Sequence, residues 1–466
     1  MLLSAAWSLY YGEPDLIPIL QAMVTTIIVG GLLLLLFRKR DKKELSIRDG
    51  FTIVTLGWIA IAIFSALPFF FSGYLNYTNS FFEAMSGLTT TGASVLGHHT
   101  THQIEDLPHG LLFWRSFTHF IGGMGIIVFS IAILPMLGMG GVQLFRAEVA
   151  GPTADKLTPR VKQTAKLLWG IYVGFVLIET LILRLEGMLW FDAICHAFGT
   201  MATGGFSTKN ASIAAYGSLV QWTIIFFMFC AATNFSLHYF FIAKGNAEYF
   251  KDREFSVYTI LICLFSLIFL IDISNSEFYK LNFDSLRHSV FTAISLLTTT
   301  GFGTEDFESW PPLSKTIVFF LLFIGGSAGS TTGGMKIIRS ILIFRYLIFE
   351  IRKLIHPKGI FNITIGKNSI DDDVVRATLG FYLFYIIIFA ITAVVLAATG
   401  LDLTSALTAS ASAIGNIGPG LGAIGPTDNW GGLTDFAKWL TSFCMLLGRL
   451  EIFTVMVLFS RSFWRK

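Results

Sequence analysis

Four stretches decide how this chain folds: FFEAMSGLTTTGAS (81–94), CHAFGTMATGGFS (195–207), VFTAISLLTTTGFG (290–303) and LTASASAIGNIGPG (407–420). Laid over one another without gaps, they align Gly92, Gly205, Gly301 and Gly418, with Ala84, Ala197, Ala293 and Ser410 in one column upstream. The apolar stretch before each glycine is about ten residues, whereas a membrane-spanning helix needs about 20. Such a stretch suits a half-helix that enters a membrane and turns back. One Thr/Gly segment alone reads equally well as a helix end packed through small residues. Four in register, each between two apolar spans, point to a repeat.

Outward from these stretches lie uncharged runs at 16–37, 51–82, 116–145, 210–243 and 377–401, with a shorter, marginal one at 255–271. The repeating unit is about 100 residues, a span, a short apolar stretch, a small-residue turn and a second span, and such periodicity governs the whole architecture. Hydrophobic residues make up 54% of the 466 and charged ones 14%, with mean hydropathy +0.68. Soluble domains carry about a quarter charged residues. So little charge excludes a soluble enzyme or binding module and makes lipid the solvent for much of the surface.

Lys and Arg fall in groups at 38–48, 146–166, 244–253, 345–358 and 461–466, while segments such as 74–79 and 302–313 are poor in them. Positive charge collects on the cytoplasmic side, so two crossings separate consecutive groups and the C-terminus is expected in the cytoplasm. The expected organisation is an N-terminal region (1–48) and pore repeats at 49–145, 146–250, 251–355 and 356–466, the last preceded by a cytoplasmic linker. Residues 1–11 lack the basic region and cleavage site of a signal peptide and read as a short interfacial helix. Cys195, Cys230, Cys263 and Cys444 show no metal or disulfide spacing and read as small buried hydrophobes.

A half-helix ending inside a membrane leaves its last carbonyls unpaired and its C-terminal end partially negative. Four such ends on one axis make a cation site. Extended residues ending in glycine can aim carbonyls inward, because glycine accepts positive φ and adds no side chain. Rings of backbone carbonyls replace the hydration shell in potassium filters. Irregular backbone at this depth is tolerated only where it lines a cavity or packs in protein.

TTTGAS (89–94), GGFST (204–208), TTTGF (298–302) and NIGPGLG (416–422) resemble the four filters of the TrkH/KtrB superfamily of bacterial potassium transporters. RDGF (48–51), FIGGMGIIV (120–128), QLFRAE (143–148), GGSAGSTTGGMK (325–336) and LGRLEIFT (447–454) extend the resemblance, which is closer to the TrkH branch. It implies an all-α integral membrane protein with four pseudo-symmetric helix–pore-loop–helix repeats around one central pore. It implies homodimers in the bacterial inner membrane and a cytosolic, nucleotide-binding, TrkA-like regulatory ring, with no nucleic-acid partner. No cofactor is expected beyond bound potassium ions, the only metal. The potassium-binding filter is then Thr90, Thr91 and Gly92; Thr203, Gly204 and Gly205; Thr299, Thr300 and Gly301; and Asn416, Ile417 and Gly418. Plant relatives that favour sodium carry Ser at the first of these glycines. Two departures stand out. Only 16–37 forms a full span before the first unit, where TrkH proteins have two extra helices. Asn416-Ile417 replaces a Thr-Thr pair, making the pore only pseudo-fourfold.

Five glycines among residues 325–334 break the second helix of the third unit at mid-membrane, each costing helix about 1 kcal/mol. A loop below the filter that opens and closes is the functional reading; a packing kink is the bland one. In the resembling family this loop is the gate. It comprises Gly325, Gly326, Ser327, Ala328, Gly329, Ser330, Thr331, Thr332, Gly333 and Gly334, with Lys336 beside it. The same segment matches the hydrolase G-x-S-x-G motif at 325–329, but no strand precedes it, and no enzyme is expected. Arg449 lies in an apolar run, so it either reaches the loop carbonyls or snorkels to the interface. Glu83 reads as a cap at its helix N-terminus. His98, His99, His102 and His109 read as a solvated outer loop, and His119 and His238 as satisfied packing residues. The basic-then-acidic segment 345–373 is a docking candidate with a helix start at Asp371-Asp372-Asp373; solvated loop is the equal alternative. All four units run the same way, which favours a channel-like pore over the inverted repeats of carriers. A sodium- or proton-coupled symporter, or a less selective conductor, remains the alternative.

Overall fold

The computed structural model describes residues 1–37, 47–98, 100, 102–132, 157–245, 248–276, 280–359, 361–365 and 368–465. The chain is built from helices, with a two-residue hairpin, β1 (Thr364–Ile365) and β2 (Asn368–Ser369), in the linker before the fourth unit.

Helix α1 (Leu2–Tyr11) ends on Gly12 in the left-handed conformation, and α2 (Leu16–Phe37) is exposed along most of its length. The exposed face, with Leu32, Leu34, Leu35 and Phe37, is apolar, as a lipid-facing helix requires. Unit one has α3 (Ile47–Ser65), the short α4 (Tyr77–Leu88) and α5 (His109–Ala132). Unit two has α6 (Leu157–Leu185), the short α7 (Trp190–Met201), α8 (Ser218–Ala231) and α9 (Phe235–Lys244). Unit three has α10 (Arg253–Ser274), the short α11 (Phe283–Leu297), α12 (Pro312–Leu321) and α13 (Ile337–Ile355). Unit four has α14 (Asp372–Ala398), the short α15 (Leu403–Gly415), α16 (Asp435–Arg449) and α17 (Phe453–Met456).

Among the described residues five helices are long and apolar enough to cross a membrane: Leu16–Phe37, Arg48–Phe71, Gln163–Leu185, Arg253–Ser274 and Asp372–Ala398. The run at 255–271 is therefore the middle of a full span, extended by Asp252, whose side chain caps α10 through Phe255 N. Two second helices that read as uninterrupted are bent, by 98° between α8 and α9 and by 110° beyond Arg449. Asn234 caps the restart of α9 through Ser236 N, and Glu451 and Ile452 adopt positive φ at the other bend. For a β-branched residue such as Ile452 that conformation is an outlier.

The short helices are the most deeply buried elements. On α4 every residue from Ser80 to Leu88 is buried, and on α15 nearly all are, lined by Ala, Ser and Gly that allow close approach. Each starts on a polar or extended cap, with side-chain capping by Asn76, Asn282 and Asp402 on α4, α11 and α15. Asp371 precedes α14 in the extended conformation that a helix start requires. Cys195, Cys230 and Cys444 are buried, but Cys263 is exposed on α10, a correction that places it on the outer apolar surface. Residues 38–46 and 133–156, which hold most of the first basic group, part of the second, and QLFRAE, lie outside the described residues.

Candidate functional site

Each short helix ends in the same backbone sequence. Thr90, Thr203, Thr299 and Asn416 take φ of 51°, 54°, 54° and 53°, and two residues later Gly92, Gly205, Gly301 and Gly418 take 78°, 77°, 79° and 101°. Asn accepts the left-handed region readily; three threonines there are strained, and such strain persists only where the surroundings over-determine it.

The four turns meet. A Cβ on Gly92 would strike the Gly204 carbonyl, one on Gly205 the Thr300 carbonyl, one on Gly301 the Ile417 carbonyl, and one on Gly418 the Thr91 carbonyl. The order one to two, two to three, three to four and four to one closes a ring. Its outer side opens on a small cavity, about 90 Å³, lined by all four glycines together with Lys209, Asp428 and Trp430. Trp430 Nε1 donates to the Gly418 carbonyl at 3.1 Å and its backbone N to the Ser94 carbonyl at 2.7 Å.

Each outgoing strand is pinned back to its own short helix. In unit one Glu83 accepts from Ser94 Oγ at 2.9 Å and Val95 N at 3.0 Å, and its partner Arg115 Nε lies 2.6 Å away. Arg115 also donates to the Ser207 carbonyl at 2.8 Å, linking unit one to unit two. Glu83 is thus no N-cap. It sits mid-helix, fully buried, and Asn76 holds the cap. In unit two His196 Nε2 lies 2.9 Å from Ser207 Oγ; in unit three Ser295 donates to the Phe302 carbonyl at 2.6 Å; in unit four Thr408 and Leu421 bond in both directions. Arg115, His196, Ser295 and Thr408 carry no sequence signal separating them from ordinary helix residues.

On the other side of the ring, residues 325–334 form an irregular loop whose ends pair, Gly325 N donating to the Met335 carbonyl at 2.9 Å and Ile337 N to the Gly326 carbonyl at 3.2 Å. Glu254, the first-turn acid of α10, holds both ends by accepting from Ala328 N at 2.8 Å and Ile338 N at 3.0 Å. Ser327 N donates to the Ala232 carbonyl at 3.0 Å, and the Gly329 carbonyl accepts from Phe235 N at 3.1 Å, so the loop completes the break between α8 and α9. Ser330 Oγ lies 2.8 Å from Thr332 Oγ1, and Lys336 Nζ donates to Thr332. The loop abuts three short-helix ends: Thr331 Oγ1 donates to the Met201 carbonyl at 3.0 Å, Gly333 N to Thr299 Oγ1 at 2.8 Å, and a Cβ on Gly333 would strike the Gly415 carbonyl. A Cβ on Gly334 would crowd Gly325, so only glycine fits these crossings.

Arg449 is 2% exposed and does not snorkel. Its Nη1 donates to the Thr331 carbonyl at 2.6 Å and its Nη2 to the Gly122 carbonyl at 3.1 Å. Gly122 lies where a Cβ would strike the Leu88 carbonyl, at the end of the remaining short helix. Loop and guanidinium together therefore reach all four turns. Glu451 pairs instead with Arg339, at 2.5 Å.

The outer histidines are more packed than the sequence suggested. His109 Nδ1 lies 2.7 Å from Glu13 and its ring stacks on Tyr11, fastening α1 to α5; His102 meets Tyr74 edge-on; Asn429 donates to the His98 carbonyl. His99 lies outside the described residues, and no group of metal-ligating side chains occurs among those described. His238 is satisfied by Tyr249 and the Cys230 carbonyl, whereas neither ring nitrogen of His119 has a partner among the described residues, which corrects the reading of it as satisfied.

Residues 17–466 match the family model of the TrkH cation transport proteins. The chain is 41% identical to the Trk system potassium uptake protein TrkH of Halomonas elongata, covering 100% of this chain and 98% of that protein. It is 39% identical to the protein of that name from Escherichia coli, covering 92% and 88%. The crystal structure of the potassium transporter TrkH from Vibrio parahaemolyticus superimposes with a TM-score of 0.90 at 36% identity, covering 100% of this chain and 96% of that one.

Proposed function

Since the chain belongs to the TrkH family of cation transport proteins, we propose that it takes up potassium through a continuous pore, with the ring of four turns as filter and the loop 325–334 with Arg449 as gate. It is a multi-pass membrane transporter and not an enzyme. The observation that carries the filter reading is the cyclic order in which each ring glycine abuts the preceding carbonyl of the next turn. Left-handed residues alternating with ordinary ones turn successive backbone groups the same way, and carbonyl rings with the negative ends of four short helices suit a dehydrated monovalent cation.

Gly92→Ser tests it. Position 92 has φ 78° and no room for a Cβ, so the substitution displaces the Gly204 carbonyl. Potassium over sodium uptake into vesicles is expected to fall; an unchanged ratio with transport intact would overturn the filter reading.

The gate reading is supported by Arg449 and the loop together contacting the ends of all four short helices. A guanidinium in a permeation path repels cations, so this is the closed arrangement. The wider assembly we propose is a homodimer in the bacterial inner membrane, C-terminus in the cytoplasm, bound beneath by a TrkA-like ring that brings nucleotide control; relatives named as proteins of a Trk system support the presence of such a partner.

A further inference from the structure

In the first and third turns, the residue before the ring glycine is a threonine whose hydroxyl reaches back to another. Thr91 Oγ1 lies 2.8 Å from Thr89 Oγ1, and Thr300 Oγ1 lies 2.8 Å from Thr298 Oγ1. In the fourth turn Ile417 fills that place, its side chain against Gly415. The second turn has Ala202 and Gly204 there, so the filling side chain is missing. The backbone does not demand glycine at 204, because positive φ in this turn falls on Thr203 and Gly205. What excludes a side chain is His119: a Cβ on Gly204 would collide with its imidazole.

His119 stands on α5 of the first unit and is fully buried. Its ring stacks on Phe206, with centroids 4.1 Å and planes 18° apart, and the Arg115 guanidinium lies 3.6 Å from the centre of the same Phe206 ring. Burying an imidazole with neither nitrogen bonded among the described residues is costly. Its shape is what the site uses. We propose that His119 is a positioning residue of the filter: its imidazole is the side chain that the second turn lacks, supplied by the neighbouring unit, and it keeps the Gly204 carbonyl level with those of Thr91, Thr300 and Ile417. This rests on the reading of the ring as filter. The Gly204 carbonyl abuts Gly92, so slack behind it passes directly to the junction of the first two turns. Sites that select by geometry fail when their supporting shell is loose.

The test measures potassium and sodium uptake by the full chain in proteoliposomes. The variants are His119→Ala, Gly204→Thr, the triple His119→Ala/Ala202→Thr/Gly204→Thr, and Gly92→Ser as reference. His119→Ala should lower the potassium over sodium ratio about tenfold, the scale on which one lost packing contact changes discrimination, while sodium uptake rises. Gly204→Thr should lose potassium uptake through collision with the ring. The triple rebuilds the threonine pair of the first and third turns and should recover both flux and ratio, which a residue that only stabilised the fold would not bring about. A wild-type ratio in His119→Ala, or a triple no better than Gly204→Thr, overturns the proposal while a lowered ratio in Gly92→Ser leaves the filter reading standing. No effect of Gly92→Ser would instead defeat that reading. If His119→Ala yields no folded protein, the comparison of Gly204→Thr with the triple decides.

Discussion

The ion pair between Glu83 and Arg115, with exposures of 0% and 2%, sets two charges behind the first two turns. Removing one partner of such a pair leaves the other buried and uncompensated, a cost of about 3–5 kcal/mol. Glu83→Gln should therefore lower the Tm in detergent markedly, and Glu83→Gln/Arg115→Met less than Glu83→Gln alone. A double variant less stable than the single would show that the bond from Arg115 to the Ser207 carbonyl, and not the pair, dominates. The pair also explains why a carboxylate stands mid-helix: both oxygens are spent holding Ser94, Val95 and Arg115.

Among the elements, the broken helix of the third unit carries the proposed gate. Two of its loop carbonyls have donors on other units, Gly329 from Phe235 N and Thr331 from Arg449, while Gly326, Ser327 and Thr332 are paired within the third unit. Arg449→Ala removes the donor of Thr331 and Gly122, and leaving a buried carbonyl unpaired costs about 1–3 kcal/mol. The closed arrangement is thereby weakened, so cation flux in vesicles, normalised to protein, should rise and depend less on the regulatory partner. Deleting part of 325–334 should act the same way. Equal or lower flux from both folded variants would remove the gate assignment. The short helices depend on their caps. Asp402 accepts from Thr404 N and Ser405 N at the start of α15, and the Ser405 hydroxyl, followed by these backbone donors, holds its carboxyl below the ordinary value of 3.8. Its contribution is therefore fully present above pH 3.8 and lost as pH falls through the depressed value. Asp402→Ala should cost about 1 kcal/mol at neutral pH, and the gap from wild type should close in acid. A gap unchanged down to the lowest accessible pH would count against the cap.

For the whole molecule, ring closure joins residues far apart in the chain. Arg48 Nη1 donates to the Arg465 carbonyl at 2.7 Å, and Lys438 Nζ to Asn79 at 2.9 Å, so the first and fourth units close the circle that the second and third continue. The sequence carries no recognisable nucleotide motif, so any nucleotide control is proposed to arrive through a cytosolic partner. A cytosolic ring is expected to co-purify through residues within 143–166 or 345–367, and charge reversal in the exposed stretch of α13 at Arg352 and Lys353 should weaken it. A monodisperse chain that responds fully to nucleotide without such a partner would refute the assembly.

The sequence by itself determined the membrane class, the four repeated turns, the interruption at 325–334 and the identity of every ring glycine. All of these are local, set by hydropathy, by span length and by glycine's freedom at positive φ. The bends after Ala231 and Arg449 were not legible, because no proline marks either and only contacts with the loop and with α13 show where the break falls. The partners of Arg449, Glu83 and Glu254 were decided by the tertiary structure alone, since each bond joins segments that only the closed ring brings together. So was the place of His119, a histidine among apolar neighbours whose ring fills a gap left by a glycine in another unit. Periodicity records what a residue does along its own helix; it carries no record of which distant backbone that residue will meet.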